Sequence, residues 1–90
     1  MEFEWDDRKA SANKRKHGVS FHEAGTVFGD PLAMTFADPD HSDGEHRCLT
    51  FGLSKSGRLL VVSHTERPRA IRIISAREVN QYERKIYEEG

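Results

Sequence analysis

The 90-residue sequence predicts an α+β domain, a single antiparallel sheet with two helices before it and one after it. Three observations lead there. Residues 58–77, RLLVVSHTERPRAIRIISAR, alternate as two strands joined by a turn. Residues 45–53 alternate in the same way, with Leu49, Phe51 and Leu53 on one face and Glu45 and Arg47 at its polar start. Helix-start signals stand at Asp6 or Asp7 and at Ser20, ahead of these strands, and again at Ser75 behind them.

In order along the chain, Phe3 and Trp5 alternate with Glu2 and Glu4 as a short edge strand with two aromatics toward the core. Asp6 or Asp7 caps a helix over residues 8–16, and Gly18 ends it, since glycine accepts the left-handed conformation of a C-terminus. Its apolar stripe is only Ala10 and Ala12, so it lies on the surface. Asn13 and His17, four apart, share one face. Ser20 and Glu23 form a capping box that starts a second helix, with Ala24, Val27 and Phe28 as its stripe and Gly29 and Pro31 as its stop. Met34 and Phe36 alternate with Ala33 and Thr35 in a short strand. Residues 37–44, around Asp38-Pro39-Asp40, read as a polar, mobile loop.

Ser54-Lys55-Ser56-Gly57 then turns the chain into the long strand. Leu59, Val61, Ser63 and Thr65 alternate there with Leu60, Val62, His64 and Glu66; a strand apolar on both faces needs cover on both. After Arg67-Pro68-Arg69, Ile71 and Ile73 take one face and Ala70, Arg72 and Ile74 the other. Ser75 and Glu78 form a second capping box, stapled by Ile74 and Val79. The last helix is therefore expected from Ala76, with Val79, Tyr82 and Ile86 as a narrow apolar stripe.

A chain of this length makes one domain, residues 1–90, without room for a second core. With 36% hydrophobic and 32% charged residues and a mean hydropathy of −0.75, it reads as a soluble protein with a small core and a charged shell. No apolar run reaches membrane-spanning length and the start, MEFEWDDRK, is unlike a signal peptide, so the expected location is cytoplasmic. Cys48 is the single cysteine and reads as a small buried hydrophobe. The net charge of −1 argues against non-specific coating of nucleic acid, but the charge is segregated. Acids gather at the termini and at Asp38, Asp40 and Asp43; bases gather at Lys14-Arg15-Lys16 and along residues 67–77. That second stretch holds Arg67, Arg69, Arg72 and Arg77 without one acid, and guanidinium forks match phosphate oxygens.

Several short motifs in order resemble the BrnT family of bacterial toxins: Lys16-His17-Gly18-Val19-Ser20-Phe21 with Glu23-Ala24, Val27-Phe28, Asp30-Pro31, Glu45-x-Arg47, Gly57-Arg58, Thr65-x-Arg67, Arg72-Ile73-Ile74-Ser75-Ala76-Arg77 and Tyr82-Glu83-Arg84. The resemblance spans nearly the whole chain; KHGVSF and RIISAR are its most specific pieces. His22 departs from it, standing where related sequences often carry an acid. The resemblance implies a RelE-like fold and a ribonuclease toxin of a type II toxin–antitoxin pair, cleaving RNA without a metal or other cofactor and halting translation. It implies a BrnA-type ribbon-helix-helix antitoxin as partner, contact with DNA only through that antitoxin, no membrane, and a dimer within a heterotetramer as an arrangement to test.

Metal-free RNA cleavage uses the neighbouring 2′-OH as nucleophile, so it needs a base, a cation for the phosphorane and an acid for the leaving 5′-oxygen. Arg67 and Arg77 are the first candidates for the cation, with Arg72 behind them; Arg77, near a helix start, would add the helix N-terminus to its own charge. The alternative is that these arginines pair with surface carboxylates. Glu66 and His64, on one face at the strand end, are candidates for the base, or else an ion-pair partner and a half-buried strand residue. Lys16 and His17 at the end of the basic helix are candidates for RNA contact or catalysis, or else a solvated helix end for Lys16 and a hydrogen-bonded terminus for His17. Glu45 and Arg47 contact substrate or pair with each other. His41, Asp43 and His46 are spaced too loosely for a metal site, and there is no glycine-rich phosphate loop, cysteine pair or nucleophile elbow. A second functional reading is an inactive module that only binds antitoxin and co-represses. A stand-alone DNA-binding regulator is disfavoured, since no helix-turn-helix is evident.

Overall fold

The computed structural model describes residues 1–38 and 46–90. Strand β1 (Phe3–Glu4) is followed by α1 (Asp7–His17), α2 (Phe21–Thr26) and a 3₁₀ turn (Val27–Gly29). Then come β2 (Met34–Ala37), β3 (Arg47–Leu53), β4 (Leu59–Arg67), β5 (Ala70–Glu78) and α3 (Gln81–Glu89). The sheet order is β1-β5-β4-β3-β2. Strands β2 to β5 are antiparallel, as expected, and β1 joins the β5 edge in parallel.

Local chemistry sets the first helices. Asp6 Oδ1 accepts from the Arg8 and Lys9 N–H groups at 2.8 and 3.1 Å, and Gly18, at φ 71°, closes α1 in the left-handed conformation. Ser20 Oγ accepts from Glu23 N–H at 3.0 Å. One face of the sheet carries Leu60 and Val62 of β4 and Ile73 and Ala76 of β5. They pack against Val19, Phe21, Ala24 and Val27 to make the core. Full burial of Phe21, Leu60 and Ile73 contributes roughly 2 kcal/mol each. Gly52 of β3 faces this layer because a Cβ there would sit 2.8 Å from Val27 Cγ1.

The Ser20–Glu23 capping box is only half made. Glu23 does not reach back to Ser20; its Oε2 accepts from Ser54 Oγ, Ser56 Oγ and Arg58 Nε at 2.7, 2.5 and 2.9 Å, and its Oε1 accepts from Arg58 Nη2. The Arg58 hydrogen bond, with help from both serines, holds this carboxyl down at about 2 despite its burial. Glu23 thus ties α2 to the β3–β4 turn.

The second capping box, at Ser75–Glu78, is not formed. Residues 75–78 stay in β5, paired with residues 60–63 of β4, and the helix starts three residues later behind Asn80. Asn80 Oδ1 accepts from Glu83 N–H at 2.8 Å while Glu83 Oε1 accepts from Asn80 N–H at 3.0 Å, so the capping box is Asn80–Glu83. The staple expected from Ile74 and Val79 is absent for the same reason. Tyr82 is 74% exposed, and α3 turns Glu83, Ile86 and Tyr87 inward instead. Tyr87 Oη donates to Asp30 Oδ2 at 2.6 Å.

Asn13, 6% exposed, anchors α1 to the sheet edge. Because β1 is short, the Ala76 backbone of β5 has no strand on its outer side, away from β4, and the Asn13 amide takes that place. Its Oδ1 accepts from Ala76 N–H at 3.1 Å, and its Nδ2 donates to Ala76 O and Val19 O at 2.8 and 2.9 Å. An amide has the same donor and acceptor pair as a peptide unit, so one side chain closes the edge.

Candidate active site

The face opposite the core is built in rows by strand pairing, since residues paired across a sheet point to the same side. One row is Met34, Phe51, Val61 and Arg77; the next is Phe36, Leu49, Ser63 and Ser75; a third is Arg47, Thr65, Arg72 and Glu4. Strict alternation would place Arg72 and Arg77 on opposite faces. A register shift in β4–β5 prevents this, because Ser63 pairs with Ser75 while His64 pairs with Ile73, leaving Ile74 as the extra residue. This bulge re-aims the end of β5, so that Arg72, Ser75 and Arg77 share one face.

On that face Leu49, Val61, Ser63, Ser75 and Arg77 line a small pocket of about 140 Å³, and His17 closes its edge. The Asn13 bonds hold α1 against β5, and His17, one turn on, lies on the same side of the helix. Arg77 does not stand at a helix N-terminus, since α3 begins only at Gln81. It donates from Nη1 and Nη2 to the two Glu83 oxygens at 2.8 and 2.9 Å, and from Nη1 to Glu78 O at 3.3 Å. Their mutual hydrogen bonds push the arginine up and the glutamate down from their usual values. Three of the five guanidinium N–H groups are thus used to orient the fork, which leaves two for a ligand.

In the third row Arg72 donates to Glu4 Oε2 at 3.2 Å. Arg47 is half-buried, and the buried Thr65 hydroxyl between them has no hydrogen-bond partner among the described residues. Arg67 lies exposed at the end of β4, and Lys16 is exposed at the end of α1. Glu45, His41 and Asp43 lie outside the described residues.

His64, the first candidate for the base, is not on this face. It is 2% exposed in the helix-facing layer, its ring edge-on to Phe28 at 4.9 Å and its Nε2 2.7 Å from Thr50 Oγ1, which is 2.7 Å from Thr35 Oγ1. Glu66 shares the His64 side of the strand by alternation and is exposed. Neither meets Arg77. Burial pushes His64 below the usual imidazole value, with Glu66 opposing. Its folded state therefore prefers the neutral ring. Stability from this site is complete above the unfolded value, about 6.5, and is lost as pH falls through the lower folded value. Urea midpoints are expected to drop over that range in the wild type and to drop less in His64→Gln; parallel profiles would remove this assignment.

Ser63 and Ser75 are pocket residues that the sequence reading passes over, because a strand serine carries no distinguishing signal until its row is known. Glu83, which orients Arg77 from outside the pocket lining, is hidden behind the wrong helix start. Among the described residues no group of His, Cys, Asp or Glu is placed to hold a metal, and no helix is long and apolar enough to cross a membrane.

The fold has a solved counterpart. The chain is similar to the Brucella abortus ribonuclease toxin BrnT, known from a crystal structure at 1.1 Å resolution, with a TM-score of 0.69 and 25% sequence identity over 90% of this chain and 99% of that one. No match is found among curated proteins. Residues 5–83 match the family described as "Ribonuclease toxin, BrnT, of type II toxin-antitoxin system". The chain therefore belongs to the BrnT family of ribonuclease toxins of type II toxin–antitoxin systems.

Proposed function

We propose that this protein is an endoribonuclease that cleaves RNA without a metal, halts translation in the cytoplasm, and is neutralised by a BrnA-type antitoxin. The supporting observation is the pocket that brings His17 of α1 beside Arg77 of β5. A phosphodiester seated there meets the two remaining donors of Arg77, with the Ser63 and Ser75 hydroxyls beneath it. His17 removes the 2′-OH proton, the 2′-oxygen attacks phosphorus, and the P–O5′ bond breaks to leave a 2′,3′-cyclic phosphate. The imidazolium then returns the proton to the 5′-oxygen. Arg77 balances the charge that grows on the phosphorane, and a guanidinium already oriented by Glu83 does so with little reorganisation. Arg72, further along β5, and Arg47, two strands away on β3, both in the third row, hold neighbouring phosphates.

The test is cleavage of a defined RNA by purified protein in excess EDTA, with the product ends identified. Cyclic phosphate ends that persist in EDTA and disappear on adding the antitoxin are expected. Cleavage abolished by EDTA and restored by a divalent ion would overturn the mechanism. Absence of cleavage on free RNA and on ribosomes alike would favour a module that only binds antitoxin.

A further inference from the structure

On the outer side of α1 lies a groove of about 490 Å³, with Ser11, Lys14 and Arg15 on the helix wall and Trp5, Phe21 and His22 opposite. It adjoins a hollow of about 400 Å³ that shares Trp5, Phe21 and His22 and extends to Gly25. Trp5 is half-buried, its ring edge-on to Phe21 at 5.9 Å and to His22 at 4.9 Å. The bases of α1, Arg8, Lys9, Lys14, Arg15 and Lys16, make no ion pair among the described residues. The carboxylate in the groove lining, Asp7, lies two turns away from Lys14. Lys14 is three residues before His17, so the basic rim of the groove runs on to the edge of the pocket.

We infer that this groove binds the single-stranded RNA flanking the cleaved nucleotide, with phosphates along Lys14 and Arg15 and a base against Trp5. The inference rests on the ribonuclease reading. Cations beside an aromatic wall are what unpaired nucleotides use, the charge holding the backbone and the ring offering a surface to any base. Continuity with the His17 pocket favours RNA over an acidic protein segment, because a strand leaving that pocket along α1 meets Lys14 and Arg15 next.

Trp5 is the only tryptophan of the chain, so its emission reports on the groove directly. The probe is a 2′-O-methyl oligoribonucleotide of about eight nucleotides, within the usual span of a single-strand site. Saturable quenching of Trp5 is expected. Lys14→Gln with Arg15→Gln, both exposed changes, should weaken binding about tenfold and lower the slope of log K against log salt by about 1.4. Binding seen by anisotropy of the labelled probe without any change in Trp5 emission overturns the inference, as does an unaltered salt slope. Quenching by a polyglutamate peptide and not by the oligonucleotide also overturns it and marks a protein-binding groove. The probe has no 2′-OH nucleophile, so the readout is independent of catalysis. Natural RNA left intact while the probe still quenches counts against the nuclease reading alone; cleavage without quenching counts against the groove alone.

Discussion

Asn13→Asp is expected to destabilise the protein by about 3–5 kcal/mol, a large part of the 5–15 kcal/mol that holds a domain folded. The substitution is nearly isosteric, so packing is not the reason. Asn13 Nδ2 now donates to two carbonyl oxygens, those of Val19 and Ala76. A carboxylate there would face both oxygens with no proton, buried and unpaired. Asn13→Ala should cost less, about 2–3 kcal/mol, because it strands the Ala76 and Val19 groups without adding a charge. Urea denaturation of the three proteins at neutral pH checks the order, and the gap between wild type and Asn13→Asp should narrow in acid, where the carboxyl regains one donor. Equal stability of Asp and Asn at neutral pH would mean that the edge of β5 does not depend on this amide.

His17→Ala should lower the rate of RNA cleavage by 10²- to 10⁴-fold, the usual contribution of a positioned acid–base group, while moving stability by no more than about 0.5 kcal/mol. His64→Ala should do the reverse. It empties a buried site beside Phe28 and removes one of the two side-chain partners of Thr50, costing about 2–3 kcal/mol, and leaves cleavage per folded molecule within about threefold. Rates corrected for the folded fraction, measured well below the unfolding transition, separate the two. Cleavage lost in His64→Ala and kept in His17→Ala would move the base into the buried layer and dissolve the pocket as the site.

These two histidines mark what can be read from sequence and what needs the fold. The caps at Asp6, Gly18 and Ser20 are legible because their chemistry is local, and Asn13 and His17 fall on one helix face by spacing alone. The alternation of β4 likewise puts His64 opposite Ser63. Which face is buried is decided by the helices and the 3₁₀ turn arriving from elsewhere, and Phe28 of that turn covers His64. The end of β5 is harder. Ser75-x-x-Glu78 and Asn80-x-x-Glu83 carry the same helix-start pattern, and the choice between them is made by β4 pairing and by Asn13, distant in sequence. The bulge at Ile74 is also a product of pairing, so the gathering of Arg72 with Arg77 has no local signature. Glu23 is half legible: its place in α2 follows from the cap, but its carboxylate is claimed by Arg58 across the fold.

The parallel junction of β1 with β5 bears on when this enzyme becomes dangerous to the cell that makes it. β1 and α1 are synthesised well before the residues that hydrogen-bond them, Ile71, Arg72 and Ala76. His17 lies in the earlier stretch and Arg77 in the later one. A nascent chain can form its caps and the β3–β4 hairpin early, but it holds no assembled pocket until its last strand exists. Assembly of the pocket is thereby deferred by topology alone until β5 exists, and a translation product interrupted before β5 lacks the pocket proposed for cleavage.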